Sequence, residues 1–140
     1  MKSVTIKNQL CWGSFEEVNA ENGFTISCID EEKEASIFDL SQNECSKLIP
    51  KDGFENLWDK LMEINFQKVL LENESYQGCD GSYSIVEVSV GLQSLTLTLW
   101  CPDKEFYEEC KLTESLKLLE VVYEFMDYAE QHQVAVGFEF

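Results

Sequence analysis

The segment that most restricts the fold is a strictly alternating run, LTLTLW, at residues 95–100. Its leucines share one side of an extended chain, and its threonines and Trp100 share the other, which is typical of a strand buried on one face. A second β-type run at residues 83–90 precedes it, with Gly91-Leu92-Gln93-Ser94 between them as a turn. The two runs therefore predict an antiparallel hairpin that covers a core with one face.

Further β structure is predicted in the N-terminal half. Residues 23–29 and 34–40 are two β-type runs joined by a charged turn, DEEK, and indicate a second hairpin. Residues 4–6 form a short β-type run. Residues 134–140 have the β propensity of one further strand.

Two longer segments have the apolar spacing of amphipathic helices. Residues 52–65 carry an i, i+3, i+4 stripe with Asp52 as the predicted N-cap, and residues 114–131 follow Thr113 as N-cap. A short helix at residues 41–49 is suggested by Ser41 and Glu44 at capping-box spacing, with Pro50 ending it. Residues 66–78 read as mixed and turn-rich. We therefore predict one α+β domain over residues 1–140, a mainly antiparallel sheet with two principal helices packed on one face.

The charge of the chain restricts its partners. It has 27 acidic residues against 10 basic ones, a formal net charge of −17, and every basic residue is a lysine. Such a chain repels nucleic acid and anionic membrane surfaces, and without arginine it cannot form the bidentate fork to phosphate. The hydrophobic content of 44% is enough for a core. We expect a folded domain with an acidic surface, monomeric when free, whose partner is a basic protein.

Catalytic and metal-binding patterns are missing from the sequence. There is one histidine, His132, and the six cysteines include no CxxC pair. No nucleophile elbow, HExxH or P-loop occurs. We expect no enzyme activity, no cofactor and no metal site. The polar N-terminus, without a signal-peptide pattern, predicts a cytoplasmic protein with reduced cysteines.

Acidic residues are concentrated in four clusters, each of which is also compatible with a merely solvated surface. The fourth lies on the last predicted helix, at Glu120, Glu124, Asp127 and Glu130. The first three, with two aromatic residues that are equally compatible with core packing, supply the predicted partner-binding residues: Glu16, Glu17, Asp30, Glu31, Glu32, Glu34, Asp103, Glu105, Glu108, Glu109, Phe106 and Tyr107. Two clusters on one edge would form a patch that steers a basic partner.

The C-terminal half contains Asp80-Gly81-Ser82-Tyr83, then Trp100-Cys101-Pro102, then a closing amphipathic helix. This order resembles small bacterial proteins with a D-G-[ST]-aromatic motif, a hairpin, W-x-P and a final helix. In size and charge the whole chain resembles immunity proteins of contact-dependent inhibition and other polymorphic toxin systems. The resemblance implies a protein that binds one toxin domain, commonly a cationic nuclease, in a 1:1 complex and occludes its active site.

Two other functions remain open at this point. Type III secretion chaperones are similarly small, acidic and α+β, and they are homodimers that hold an extended effector segment. They usually begin with a helix, whereas this chain begins with β-type residues. An enzyme that uses carboxylates alone is the third hypothesis, although no residue pattern marks a site for it.

Overall fold

The computed structural model describes residues 1–10, 23–29, 31, 33–40, 47–74, 82–100 and 103–132. The strands in these residues are β1 (Lys2–Leu10), β2 (Gly23–Cys28), β3 (Glu34–Asp39), β4 (Lys47–Pro50), β5 (Ser82–Val90) and β6 (Gln93–Trp100). The helices are α1 (Lys51–Met62), α2 (Phe66–Glu74), α3 (Lys104–Glu109) and α4 (Thr113–Gln131). The strands form one antiparallel sheet in the order β4-β3-β2-β1-β5-β6. The predicted α+β fold is confirmed.

Strand alternation places one face of the sheet in the core. On the central strand β1, Val4 and Ile6 are fully buried, while Ser3 and Thr5, which alternate with them, are only partly covered. Val4 lies opposite Ile26 of β2 and Val88 of β5, so the buried side chains of neighbouring strands form continuous rows. The helices pack on this face, and their apolar residues join the same core cluster.

The opposite face of the sheet carries rows of hydroxyl side chains, together with a few apolar residues such as Phe38 and the stacked pair Tyr83 and Trp100. One row across five neighbouring strands consists of serines paired directly with one another: Ser36, Ser27, Ser3, Ser89 and Ser94. In the next row the hydroxyls of Thr5 and Thr25 form a 2.8 Å hydrogen bond.

Helices α1 and α4 run antiparallel and lie in close contact. The Tyr128 hydroxyl of α4 donates to the carbonyl of Pro50 at 2.8 Å, and Lys60 of α1 pairs with Glu124 of α4 at 2.9 Å. A Cβ at Gly53 would lie 2.5 Å from the Tyr128 ring. The glycine in α1 therefore permits this close approach, which offsets its low helix propensity.

Two predicted helix caps are wrong, because other groups occupy the cap positions. Pro50 precedes α1 and leaves Asp52 inside the first turn, where it still suits the helix dipole. Leu112 holds the corresponding position before α4, and no side chain of α4 caps it. Instead, the Glu72 carboxylate of α2 accepts the N–H groups of Glu114 and Ser115, at 3.4 and 2.8 Å. A tertiary contact thus satisfies the helix N-terminus.

The secondary structure differs from the prediction in several further places, among them β1, which extends well beyond the predicted residues 4–6, and helix α3, which was not predicted. Residues 47–50 are a strand and not the end of a helix, because Ile49 is buried and pairs with Ala35 of β3. The segment predicted as mixed contains α2, and the β5–β6 turn is shorter than predicted, since β6 already begins at Gln93. Residues 41–46 and 134–140 lie outside the described residues.

In the described part of the chain, no helix is long and apolar enough to cross a membrane.

Cys28 is buried in β2 and Cys110 is partly buried after α3, and both are free thiols. The other four cysteines lie outside the described residues.

Candidate functional site

The structure separates the predicted partner-binding residues into surface and core. Glu31 and Glu34 are exposed at the β2–β3 turn, and the four acidic residues of the third cluster are exposed on α3 and its N-cap, Asp103. This cluster lies on a short helix that is not among the elements predicted from the sequence. Four of the predicted residues lie outside the described residues: Glu16, Glu17, Asp30 and Glu32.

The two predicted aromatic anchors pack inward to different degrees. Tyr107 is only 1% exposed, and its hydroxyl donates to the carbonyl of Trp100 at 2.6 Å. Burial, with smaller contributions from Tyr123 and Glu72, raises the pKa of Tyr107. Tyr107 is therefore a core residue and no part of the acidic surface. Phe106 is partly buried against the core and contacts Tyr107 with its ring.

The acidic residues of the β2–β3 turn and those of α3 lie at opposite ends of the sheet. Cys28, which ends β2, aligns through Lys2 with Val90, which ends β5. Strand β6 then runs back to Trp100, just before α3. At about 3.3 Å per residue, β6 alone separates the two clusters by about 23 Å. These two clusters therefore form no common patch.

The cluster on α3 instead adjoins the acidic stripe of α4. Lys104 of α3 lies over the Tyr123 ring of α4, 5.0 Å from its centroid. Burial and the nearby Asp103 carboxylate raise the pKa of Tyr123. Along α4, Glu120, Glu124 and Asp127 are spaced i, i+4 and i+7, so they share the side that points away from the core. The third and fourth sequence clusters are thereby brought together.

Helix α1 extends the same surface on the other side of α4. Asp52, Asp59 and Glu63 are exposed and recur at helical spacing on its outward side. We call the whole surface the acidic helical face; its carboxylates are Asp52, Asp59, Glu63, Asp103, Glu105, Glu108, Glu109, Glu120, Glu124, Asp127 and Glu130. The three acidic residues of α1 were not predicted to belong to a binding surface, although their spacing of seven and four residues is visible in the sequence.

A groove of about 440 Å³ lies between α1 and α4 within the acidic helical face. Ile64 and Val121 form its apolar floor, and the Lys60–Glu124 ion pair borders it. Lys117, which pairs with Glu114, lines the groove as well. Glu63 and Glu120 also line it, and neither forms an ion pair with any lysine of the described residues. The groove can therefore receive an aliphatic side chain that ends in a positive charge, as lysine and arginine do.

Among the described residues, no three histidine, cysteine or acidic side chains are placed to hold a metal ion. His132 lies at the end of α4, where its ring packs edge-on against Tyr128 with 4.9 Å between centroids. What this surface offers chemically is negative charge beside limited apolar contact.

Comparison with protein-family models gives no match for this chain. Comparison with curated protein sequences gives no match either.

Proposed function

We propose that this protein is an immunity-type inhibitor, which binds a basic toxin domain through the acidic helical face and occludes its active site. The observation that carries the proposal is the assembly of three acidic stripes, from α1, α3 and α4, on one side of the molecule. A nuclease-type toxin binds a polyanion in its active-site groove. A surface of closely spaced carboxylates can occupy the same groove in place of nucleic acid.

The arrangement also suits rapid association. Like charges concentrated on one face attract a cationic partner over a distance of the order of a Debye length, about 8 Å at physiological ionic strength. The groove between α1 and α4 adds a place where a basic side chain lies over Ile64 and Val121 while its charge meets Glu63 or Glu120. Charge therefore favours fast encounter, and contact in the groove favours a specific partner.

The proposal is tested by co-expressing the protein with the products of its neighbouring genes and isolating any complex. We expect one toxin domain per chain, loss of that domain's activity in the complex, and slower association as salt is added. Polylysine serves as the control for non-specific charge attraction, and it should bind without a fixed stoichiometry.

Two results would contradict the proposal. One is a toxin domain from an adjacent gene that stays fully active in the presence of this protein. The other is a complex that holds an extended effector segment and inhibits no activity, which is the behaviour of a secretion chaperone.

A further inference from the structure

The two edges of the sheet are protected to very different degrees. Strand β4 is four residues long and carries Lys47 and Pro50, which both discourage strand pairing. Strand β6 at the other edge is eight residues long, alternates leucine and threonine from Leu95 to Leu99, and contains no charge and no proline. In a chain with 26% charged residues, an uncharged edge of this length is an open template for another strand.

The register shows which backbone groups of β6 point outward. Val90 and Gln93 close the two-residue turn of the β5–β6 hairpin, so alternate residues from Ser94 onward direct their N–H and C=O groups away from β5. The backbone of Trp100 agrees with this outward direction. Its N–H donates to Asn73 Oδ1, and its C=O accepts a hydrogen bond from the Tyr107 hydroxyl, so neither group pairs with β5. Those two contacts cover the Trp100 end of the edge. The groups of Ser94, Thr96 and Thr98 have no β-ladder partner among the described strands.

We propose that β6 pairs antiparallel with β6 of a second copy of this chain, so that two sheets become one. With Thr96 opposite Thr96 of the other copy, Ser94 lies opposite Thr98, and all outward groups of the three residues pair in about six ladder hydrogen bonds. The pairing ends before the covered groups of Trp100. It also places Leu95 opposite Leu97 on the helix side, and threonine and leucine pairs of this kind stabilise antiparallel ladders.

Apolar side chains next to this edge fit the same contact. Glu72 and Asn73 fix one side of α2 against Ser115 of α4, which leaves Leu70 on the side of α2 away from α4. Leu70 is 45% exposed and Met62 is 42% exposed. A shallow depression of about 220 Å³ lies at the start of β6, lined by Met62, Phe66, Val88, Val90, Gln93, Ser94 and Leu95. A two-fold axis through Thr96 brings α2 towards its copy and covers these residues.

The charge distribution permits this contact despite the net charge of −17. The acidic helical face lies on α1, α3 and α4, whereas β6 carries no charge. The residue opposite Thr96 on β5 is Glu87, which pairs with Lys7 at 3.8 Å. Repulsion between copies, on which the expectation of a free monomer rests, is therefore weaker at this edge than at the acidic helical face. A dimer through β6 also leaves the acidic helical face of each copy open to a partner.

The test is the molar mass of the purified chain, measured by sedimentation equilibrium over a range of concentrations and ionic strengths. We expect a dimer that strengthens with salt, because the Debye length falls from about 30 Å at 0.01 M to about 8 Å at 0.15 M and screens the repulsion between copies. Binding of a basic partner changes with salt in the opposite direction. Failure of the dimer and failure of the proposed inhibitor function are thus separate results.

Two variants locate the interface. Thr96→Lys places two lysines opposite each other and should raise the dimer dissociation constant about tenfold or more. Thr96→Pro removes an outward N–H that β5 does not use, and it should also abolish pairing. Leu48→Lys is the matched control, with the same charge change at an exposed residue of β4, and it should leave the dimer intact. Circular dichroism establishes that each variant is folded.

The proposal is overturned if the chain is monomeric at every salt concentration, or if the dimer survives both Thr96 variants. It is also overturned if Leu48→Lys alone separates the copies. A different result would assign the edge to another partner. If the chain never self-associates, and Thr96→Lys abolishes its binding to another protein, then β6 pairs with a strand of that protein.

Discussion

Asn73 is a buried polar residue whose removal should weaken the junction of α2, α4 and β6. Its side chain is 5% exposed and makes three hydrogen bonds: Nδ2 donates to Val69 O at 3.0 Å and to Ser115 Oγ at 2.8 Å, and Oδ1 accepts the N–H of Trp100 at 3.3 Å. Two of these bonds join α2 to other elements. Asn73→Ala therefore removes inter-element contacts and leaves the Trp100 N–H without its partner.

The magnitude follows from the groups that are lost. Each of the two inter-element bonds contributes about 1 kcal/mol net, and the small void left by the amide costs a similar amount, so Asn73→Ala should lower the free energy of unfolding by about 3 kcal/mol. For a domain of this size the melting temperature should fall by about 10 °C.

Urea denaturation followed by circular dichroism measures this effect. Gln67→Ala is the matched control, because Gln67 is exposed on the same helix, and it should change stability by less than about 0.5 kcal/mol. If Asn73→Ala costs less than about 1 kcal/mol, or no more than the control, the junction does not contribute as inferred.

Three smaller changes test other parts of the structure. Lys111 has a φ of 59° in the Schellman turn after α3, a backbone conformation that glycine adopts without strain. Lys111→Gly should therefore stabilise the protein by about 0.5–1 kcal/mol in the same denaturation assay, and a loss of stability would contradict backbone strain at Lys111. Tyr107→Phe removes the donor to Trp100 O and should cost about 1 kcal/mol, and an unchanged urea midpoint would show that this bond is dispensable. The hydrogen bond from Lys117, and next that from the Asn65 N–H, lower the pKa of Glu114. Glu114 therefore contributes stability above its ordinary pKa that is lost as pH falls through the lowered value, and Lys117→Gln should raise that pKa in an NMR titration; no change would rule out the ion pair.

Local patterns were sufficient for part of the fold. The alternation in β5 and β6 and the apolar stripes of α1 and α4 predicted these elements because each carries its own periodic signal. Helix α2 lacked such a signal, since its buried residues are Val69 and Asn73 while Leu70 and Leu71 are exposed. Its position is determined by contacts with Ser115 and Trp100, which a local pattern does not contain.

Short elements and surface patches were the least predictable features. Strand β4 is stabilised by pairing with β3, a contact between separate segments that the local pattern of residues 47–50 does not contain. The acidic clusters were visible as runs of charge, but their adjacency depends on how helices pack. The packing of α3 and α1 on either side of α4 forms the acidic helical face, whereas the sheet keeps the β2–β3 turn away from α3.

The most direct test of the proposed binding surface is the association rate with a basic toxin domain identified by the co-expression experiment, measured for two double variants. Glu120→Gln with Asp127→Asn removes two charges from the acidic helical face, and Glu31→Gln with Glu34→Gln removes two from the β2–β3 turn. We expect the first variant to associate about tenfold more slowly and the second to match the unmodified protein at the same ionic strength. Equal rates for the first variant and the unmodified protein, with slowing only in the second, would contradict binding through the acidic helical face.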